Sequence, residues 1–114
     1  MTIDEFSDII VSCEFEKEQF TETSPRRWYY KNYMIFEEYD GQIIIRPFVI
    51  FENMCIQTEG FQQHFGLDLI DTTEFKVRSM CEDQIKLVAL HEKLNKIYTI
   101  EDRKKALEKD FDKL

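Results

Sequence analysis

The chain has 114 residues, 43% hydrophobic and 33% charged, with a formal net charge of −8. That is one domain's worth of polypeptide, with enough apolar residues to build a core without disulfide or metal staples. No apolar stretch approaches the roughly eighteen residues of a membrane span, and the acid excess repels phosphate backbones, so nucleic-acid binding starts at a disadvantage.

The opening MTIDEFSDII carries acids where a secretory leader carries bases, so no leader is expected. Cys13, Cys55 and Cys81 are odd in number, widely spaced and without a Cys-x-x-Cys pair. That pattern predicts three reduced thiols in a cytoplasmic protein. The charge is uneven. Residues 1–23 hold seven acids and one lysine, residues 24–36 hold only Arg26, Arg27 and Lys31, and residues 37–74 hold eight acids and one arginine.

Thr2-Ile3-Asp4-Glu5 has the form of a capping box. Phe6, Ile9, Ile10 and Cys13 follow at helical spacing, which predicts a helix over residues 3–13. Residues 14–20 form a polar run punctuated by Phe15 and Phe20, and residues 21–25 end in Pro25 and read as a turn.

Half of the aromatic residues fall between Trp28 and Phe51, around the pair Asp40-Gly41. Asp-Gly between apolar runs predicts a β-hairpin with a type I′ turn, because both central residues need positive φ. A two-residue loop sets Tyr39 opposite Gln42, Phe36 opposite Ile45 and Met34 opposite Pro47. Side chains alternate along a strand. One face then holds Tyr30, Met34, Phe36, Ile43, Ile45, Val49 and Phe51, and is expected to be core. The other holds Tyr33, Ile35, Tyr39, Ile44, Phe48 and Ile50 among Lys31, Glu37, Gln42 and Arg46. Glu37 and Arg46 are diagonal neighbours on that face and are expected to pair. Pro47 has no N–H to give a ladder and marks an edge or a bulge.

Residues 54–57 are expected to prolong the strand, and residues 60–65 to form a helical turn or two ending at Gly66. Phe75-Lys76-Val77-Arg78 alternates and reads as a short strand. Leu87, Leu90, His91, Leu94, Ile97 and Tyr98 recur at three- and four-residue steps, which predicts an amphipathic helix over residues 82–98. Thr99 and Asp102 restart a helix over residues 100–113, and residues 100–114 could stand as an appended element. The expected architecture is a single α+β domain over residues 1–114: an antiparallel sheet of three to four strands on a central β-hairpin, packed by N-terminal and C-terminal helices.

No catalytic pattern is present. His64, His91, the cysteines and the carboxylates lack metal-ligand spacing. His91, on the apolar face of its helix, reads as a hydrogen-bonded core residue. Asp68, Asp71 and Glu74 read as a solvated loop with a helix cap. Cys81 precedes Glu82 and Asp83, which disfavour a thiolate, and three scattered glycines build no phosphate loop. Neither an enzyme nor a cofactor is expected. Arg26, Arg27, Trp28, Tyr29 and Tyr30 form one basic-aromatic cluster, weak support for single-strand binding in so acidic a chain.

Protein recognition is the leading expectation, because interface cores are rich in Tyr, Trp, Phe, Met and Arg. The second hairpin face and its tip supply Tyr33, Glu37, Glu38, Tyr39, Asp40 and Arg46, suited to docking on a basic protein surface. The abundance of Ile, Lys and Phe with few Ala resembles AT-rich coding, as in many phages. An acidic inhibitor of anti-defence or immunity type, acting in a host cytoplasm, fits that composition. Two alternatives stay open: a self-associating module with Ile100, Leu107 and Phe111 as a homodimer seam, and a small-molecule or nucleotide binder.

Overall fold

A computed structural model describes the backbone of residues 1–58 and 65–112, and the side chains of residues 1–58 and 67–96. The architecture is α+β. Helix α1 (Ile3–Ser12) is followed by strands β1 (Glu16–Glu18), β2 (Arg27–Tyr30), β3 (Tyr33–Tyr39), β4 (Gln42–Ile45), β5 (Phe48–Phe51), β6 (Met54–Gln57) and β7 (Phe65–Leu67). Helix α2 (Glu74–Asp112) closes the chain. Strands β1-β2-β3-β4-β7 form one antiparallel sheet in that order, and β5-β6 form a separate two-stranded sheet.

Helix α1 is capped as its sequence predicts. Thr2 Oγ1 accepts from the Glu5 backbone N–H at 3.1 Å. The Glu5 carboxylate accepts from the Thr2 hydroxyl at 3.3 Å, instead of reaching the Thr2 backbone. The helix ends in a Schellman arrangement: Phe15 N–H donates to Ile10 O and Glu14 N–H to Val11 O. Glu14 takes the left-handed φ of 72° that glycine usually supplies there.

The Asp40-Gly41 turn also forms as expected, with φ of 51° and 73°. Tyr39 stands opposite Gln42 and Phe36 opposite Ile45. Beyond that point the single long hairpin is a misreading. The run 28–51 is cut into β2, β3, β4 and β5 by the two-residue turn Lys31-Asn32 and by Arg46-Pro47. Arg46 N–H still donates to Ile35 O at 2.8 Å, but Met34 does not pair with Pro47; its partner is Tyr29. A proline cannot continue the ladder, and the chain leaves the sheet there.

The face assignment changes with it. Ile35 and Phe36 point to opposite sides of β3 and both are fully buried, so the sheet is covered on both sides there. The Phe6 ring meets Trp28 and Phe36 edge-on, each at 5.4 Å, which places α1 over the Phe36 side. The Tyr33 ring packs on Phe48 at 5.1 Å and on His91 at 5.6 Å, which brings β5 and α2 to the Tyr33 side. Phe51, expected in the core, is 60% exposed because β5 belongs to the second sheet.

Residues 54–57 pair with β5 as β6, through the turn Glu52-Asn53, whose φ values are 49° and 65°. Gly66 lies in a strand and not at a helix end; the expected turn over residues 60–65 falls largely outside the described residues. Residues 75–78 are helical, not a strand. Thr73 Oγ1 caps α2 by accepting from Lys76 N–H at 3.2 Å, and Val77, Cys81, Gln84 and Val88 are buried at steps of four, three and four. The helices expected over 82–98 and 100–113 form one continuous element.

Candidate docking surface

The six residues expected at a partner surface separate into two groups. Tyr33 is half-buried against Phe48 and His91. Glu37 joins a line of alternating charge across the sheet: Glu18 to Arg27 at 3.8 Å, Arg27 to Glu37 at 3.9 Å and Glu37 to Arg46 at 3.0 Å. The diagonal Glu37–Arg46 pair is the one its spacing predicts. Glu38 pairs with Arg26 at 3.0 Å, and Arg26 also holds Asp4 of α1. The hydrogen bond that Arg26 donates to Asp4, with the charge of Glu38 beside it, raises the Arg26 pKa against the opposing effect of burial. These half-buried pairs set attraction against desolvation, and each contributes about 1 kcal/mol at most. Their larger effect here is to engage Glu37, Glu38 and Arg46 within the chain.

Tyr39 and Asp40 remain at the tip. Tyr39 is 64% exposed and Asp40 is exposed on the type I′ turn. No local pattern of residues marks their neighbours. Pairing of β4 with β7 sets Ile43 opposite Leu67 and so delivers Asp68 and Ile70 to the same end of the sheet. Gly41, Gln42, Leu67, Asp68, Leu69 and Ile70 line a shallow open cleft of about 450 Å³. Ile70 is 87% exposed, held by its N–H donating to Asp68 Oδ1 at 3.0 Å. The Met1 ammonium donates to Leu69 O at 3.1 Å on the same loop. Among the described residues, no side-chain cation pairs with Asp40 or Asp68. An aromatic and an aliphatic side chain thus stand in solvent at the sheet end that carries these two carboxylates, a composition that suits a basic, partly apolar partner surface.

A second apolar surface lies on the β5-β6 hairpin. Phe48 and Cys55 turn toward α2: Phe48 N–H donates to Gln84 Oε1 at 2.7 Å and Cys55 Sγ to Leu87 O at 3.1 Å. Phe51, Met54 and Ile56 turn to solvent on the other face. Nothing in periodicity marked these residues as exposed, because the same alternation describes a covered face.

His91 is half-buried, its ring packed against Tyr33 and Phe48 at the edge of the core. Its Nδ1–H donates to the Cys55 carbonyl at 2.6 Å, leaving Nε2 to accept from Asn95 Nδ2 at 3.1 Å. No group of three or more potential metal ligands occurs among the described residues, and none of their helices is long and apolar enough to cross a membrane. The side chains of Ile100, Leu107 and Phe111, the expected dimer seam, lie outside the described residues.

The fold and this surface define an α+β protein with an acidic, partly apolar sheet end. No protein-family model, curated protein or solved structure matches the chain.

Proposed function

We propose that this chain is a small acidic, non-catalytic protein-binding regulator that docks the β3-β4 tip on a basic surface of a partner protein and occludes it. The observation that carries this reading is the exposure of Tyr39 and Ile70 at the sheet end that holds Asp40 and Asp68, with which no side-chain cation pairs among the described residues. The charge line ending at Arg46 and the Arg26–Glu38 pair act as a frame that stiffens the strands leading to the tip. Aromatic anchors supply most interface energy, while charge complementarity sets encounter rate and partner choice.

Affinity capture from a native-host lysate, read by mass spectrometry, compares the natural chain with a Tyr39→Ser, Asp40→Asn, Asp68→Asn variant. Asparagine keeps the left-handed turn and the cap on Ile70 while removing charge. The reading expects at least one specific protein with a basic surface, bound more than about tenfold less well by the variant and in high salt, with an unchanged melting temperature. Equal recovery of the same proteins by both chains would sink it.

A further inference from the structure

A groove opens where the chain leaves the main sheet at Pro47. Phe36, Ile45, Pro47, Val49 and Met80 line it, around a cavity of about 340 Å³ between the sheet, β5 and α2. Asp83 and Gln84 complete the lining. Gln84 Oε1 already accepts from Phe48 N–H. Asp83 is exposed, and no side-chain cation pairs with it among the described residues. Val49 carries the groove onto the open face of the β5-β6 hairpin. Val49 stands opposite Ile56 and Phe51 opposite Met54, so these four residues share one side, and none of them is charged. Phe51, Met54 and Ile56 are 60, 46 and 39% exposed.

We propose that this groove and hairpin face bind a basic amphipathic helix of a partner protein, with its apolar stripe on Val49, Phe51, Met54 and Ile56 and a lysine or arginine against Asp83. The exposed part of the face is on the order of 300 Å². That is well under the roughly 800 Å² each partner gives to a stable dimer, and a second copy brings a further net charge of −8. A strand added at either edge of the hairpin would have to break an existing bond. Phe48 N–H is held by Gln84, and the Cys55 carbonyl accepts from His91 Nδ1 at 2.6 Å. A helix satisfies its own backbone and needs neither edge. Pro47, Val49 and Phe51 alternate along one side of the chain over about 13 Å. Helical side chains at i, i+4 and i+8 reach about 12 Å. The Asp83 carboxylate and the overall acidity select a basic helix over an acidic one. This site is separate from the β3-β4 tip and does not rest on it.

The probe is a fluorescein-labelled peptide of about fourteen residues, with leucine on one helical face and lysine on the other. Fluorescence anisotropy reads its binding to the full chain, and amide shifts in nitrogen-15 spectra read where it sits. The expected result is saturable binding that shifts the amides of residues 47–57 and 80–84. Binding falls more than about tenfold in the double variant Phe51→Ser, Ile56→Thr and several-fold in Asp83→Asn. These substitutions fall on exposed side chains, and melting scans report that each variant folds. The tip variant Tyr39→Ser, Asp40→Asn, Asp68→Asn binds the probe as well as the natural chain does. Shifts centred on residues 39–42 and 67–70 would overturn the proposal. So would equal binding of a peptide with the same leucines and lysines reordered off the helical stripe, or no saturation below about 1 mM. A natural chain that sediments as a dimer and becomes a monomer in Phe51→Ser would give the face to a second copy and overturn it as well.

Discussion

The indole Nε1–H of Trp28 donates to Ser7 Oγ at 3.1 Å, inside a site where Trp28 is fully buried and Ser7 is 4% exposed. This bond ties the first helix to the second strand beneath the Phe6–Trp28 ring contact. Ser7→Ala strands a buried donor and is expected to cost about 1–3 kcal/mol in urea unfolding. Trp28→Phe added to Ser7→Ala should cost less than the sum of the two single changes, because the second substitution removes the donor left unpaired by the first. Strict additivity would mean that water already satisfies the indole.

Gln84 plays the matching role on the other side of the core. Its Oε1 accepts from Phe48 N–H at 2.7 Å, and both residues are buried. Gln84→Leu keeps the volume but leaves that N–H unpaired, for an expected loss of about 1–3 kcal/mol. Hydrogen exchange should show the Phe48 amide losing protection while the amides of β2 and β3 exchange as before.

Glu14 closes the first helix at φ of 72°, a conformation that penalises any residue with a Cβ. Glu14→Gly is expected to stabilise the protein by about 0.5–1 kcal/mol, since relief of strain at the C′ position outweighs the added freedom of the unfolded chain. Denaturant unfolding checks the sign. A destabilised variant would show that the Glu14 side chain makes a contact worth more than the strain.

Alkaline pH should expose the burial of Cys81. Desolvation, reinforced by the neighbouring Cys13, raises the Cys81 thiol above its ordinary value of 9.0. The unfolded chain then loses this proton before the native one does. Stability from this group is fully present below pH 9 and is lost as pH rises beyond it, by at most about 1.4 kcal/mol per pH unit. Burial raises the Cys55 thiol as well, against an opposing hydrogen bond linked to His91, and it adds to the same trend. Melting scans from pH 8 to about 10.5 should fall less steeply for Cys81→Val than for the natural chain. Parallel curves would contradict the assignment.

Elements governed by near neighbours in the chain were legible from the residues. The Thr2 cap, the Asp40-Gly41 turn, the Phe36–Ile45 register and the Glu37–Arg46 diagonal all depend on groups within a few residues or across one tight turn. The misreading of residues 75–78 was avoidable in part. Val77, Cys81, Gln84 and Val88 carry a helical period, but Gln84 and Cys81 are weak apolar markers, and the four-residue alternation at 75–78 imitates a strand. The division of residues 28–51 into four strands was signalled only by Pro47. Lys31 at the β2-β3 turn carries no glycine or asparagine signature for its φ of 55°.

Local residue order specifies the α+β class, the first helix with its cap and the central hairpin with its register, because backbone sterics and side-chain alternation act over short separations. Which surfaces meet water depends on long-range packing. Alternation sorts Tyr33, Phe48, Val49 and Phe51 into faces, but only the arrival of β5-β6 and α2 buries Phe48 and leaves Phe51 exposed. The same long-range packing gathers Ile70 and Asp68 beside Gly41 and Gln42 and buries Cys81. Burial depends on what lands on a face, and that is a property of the whole chain.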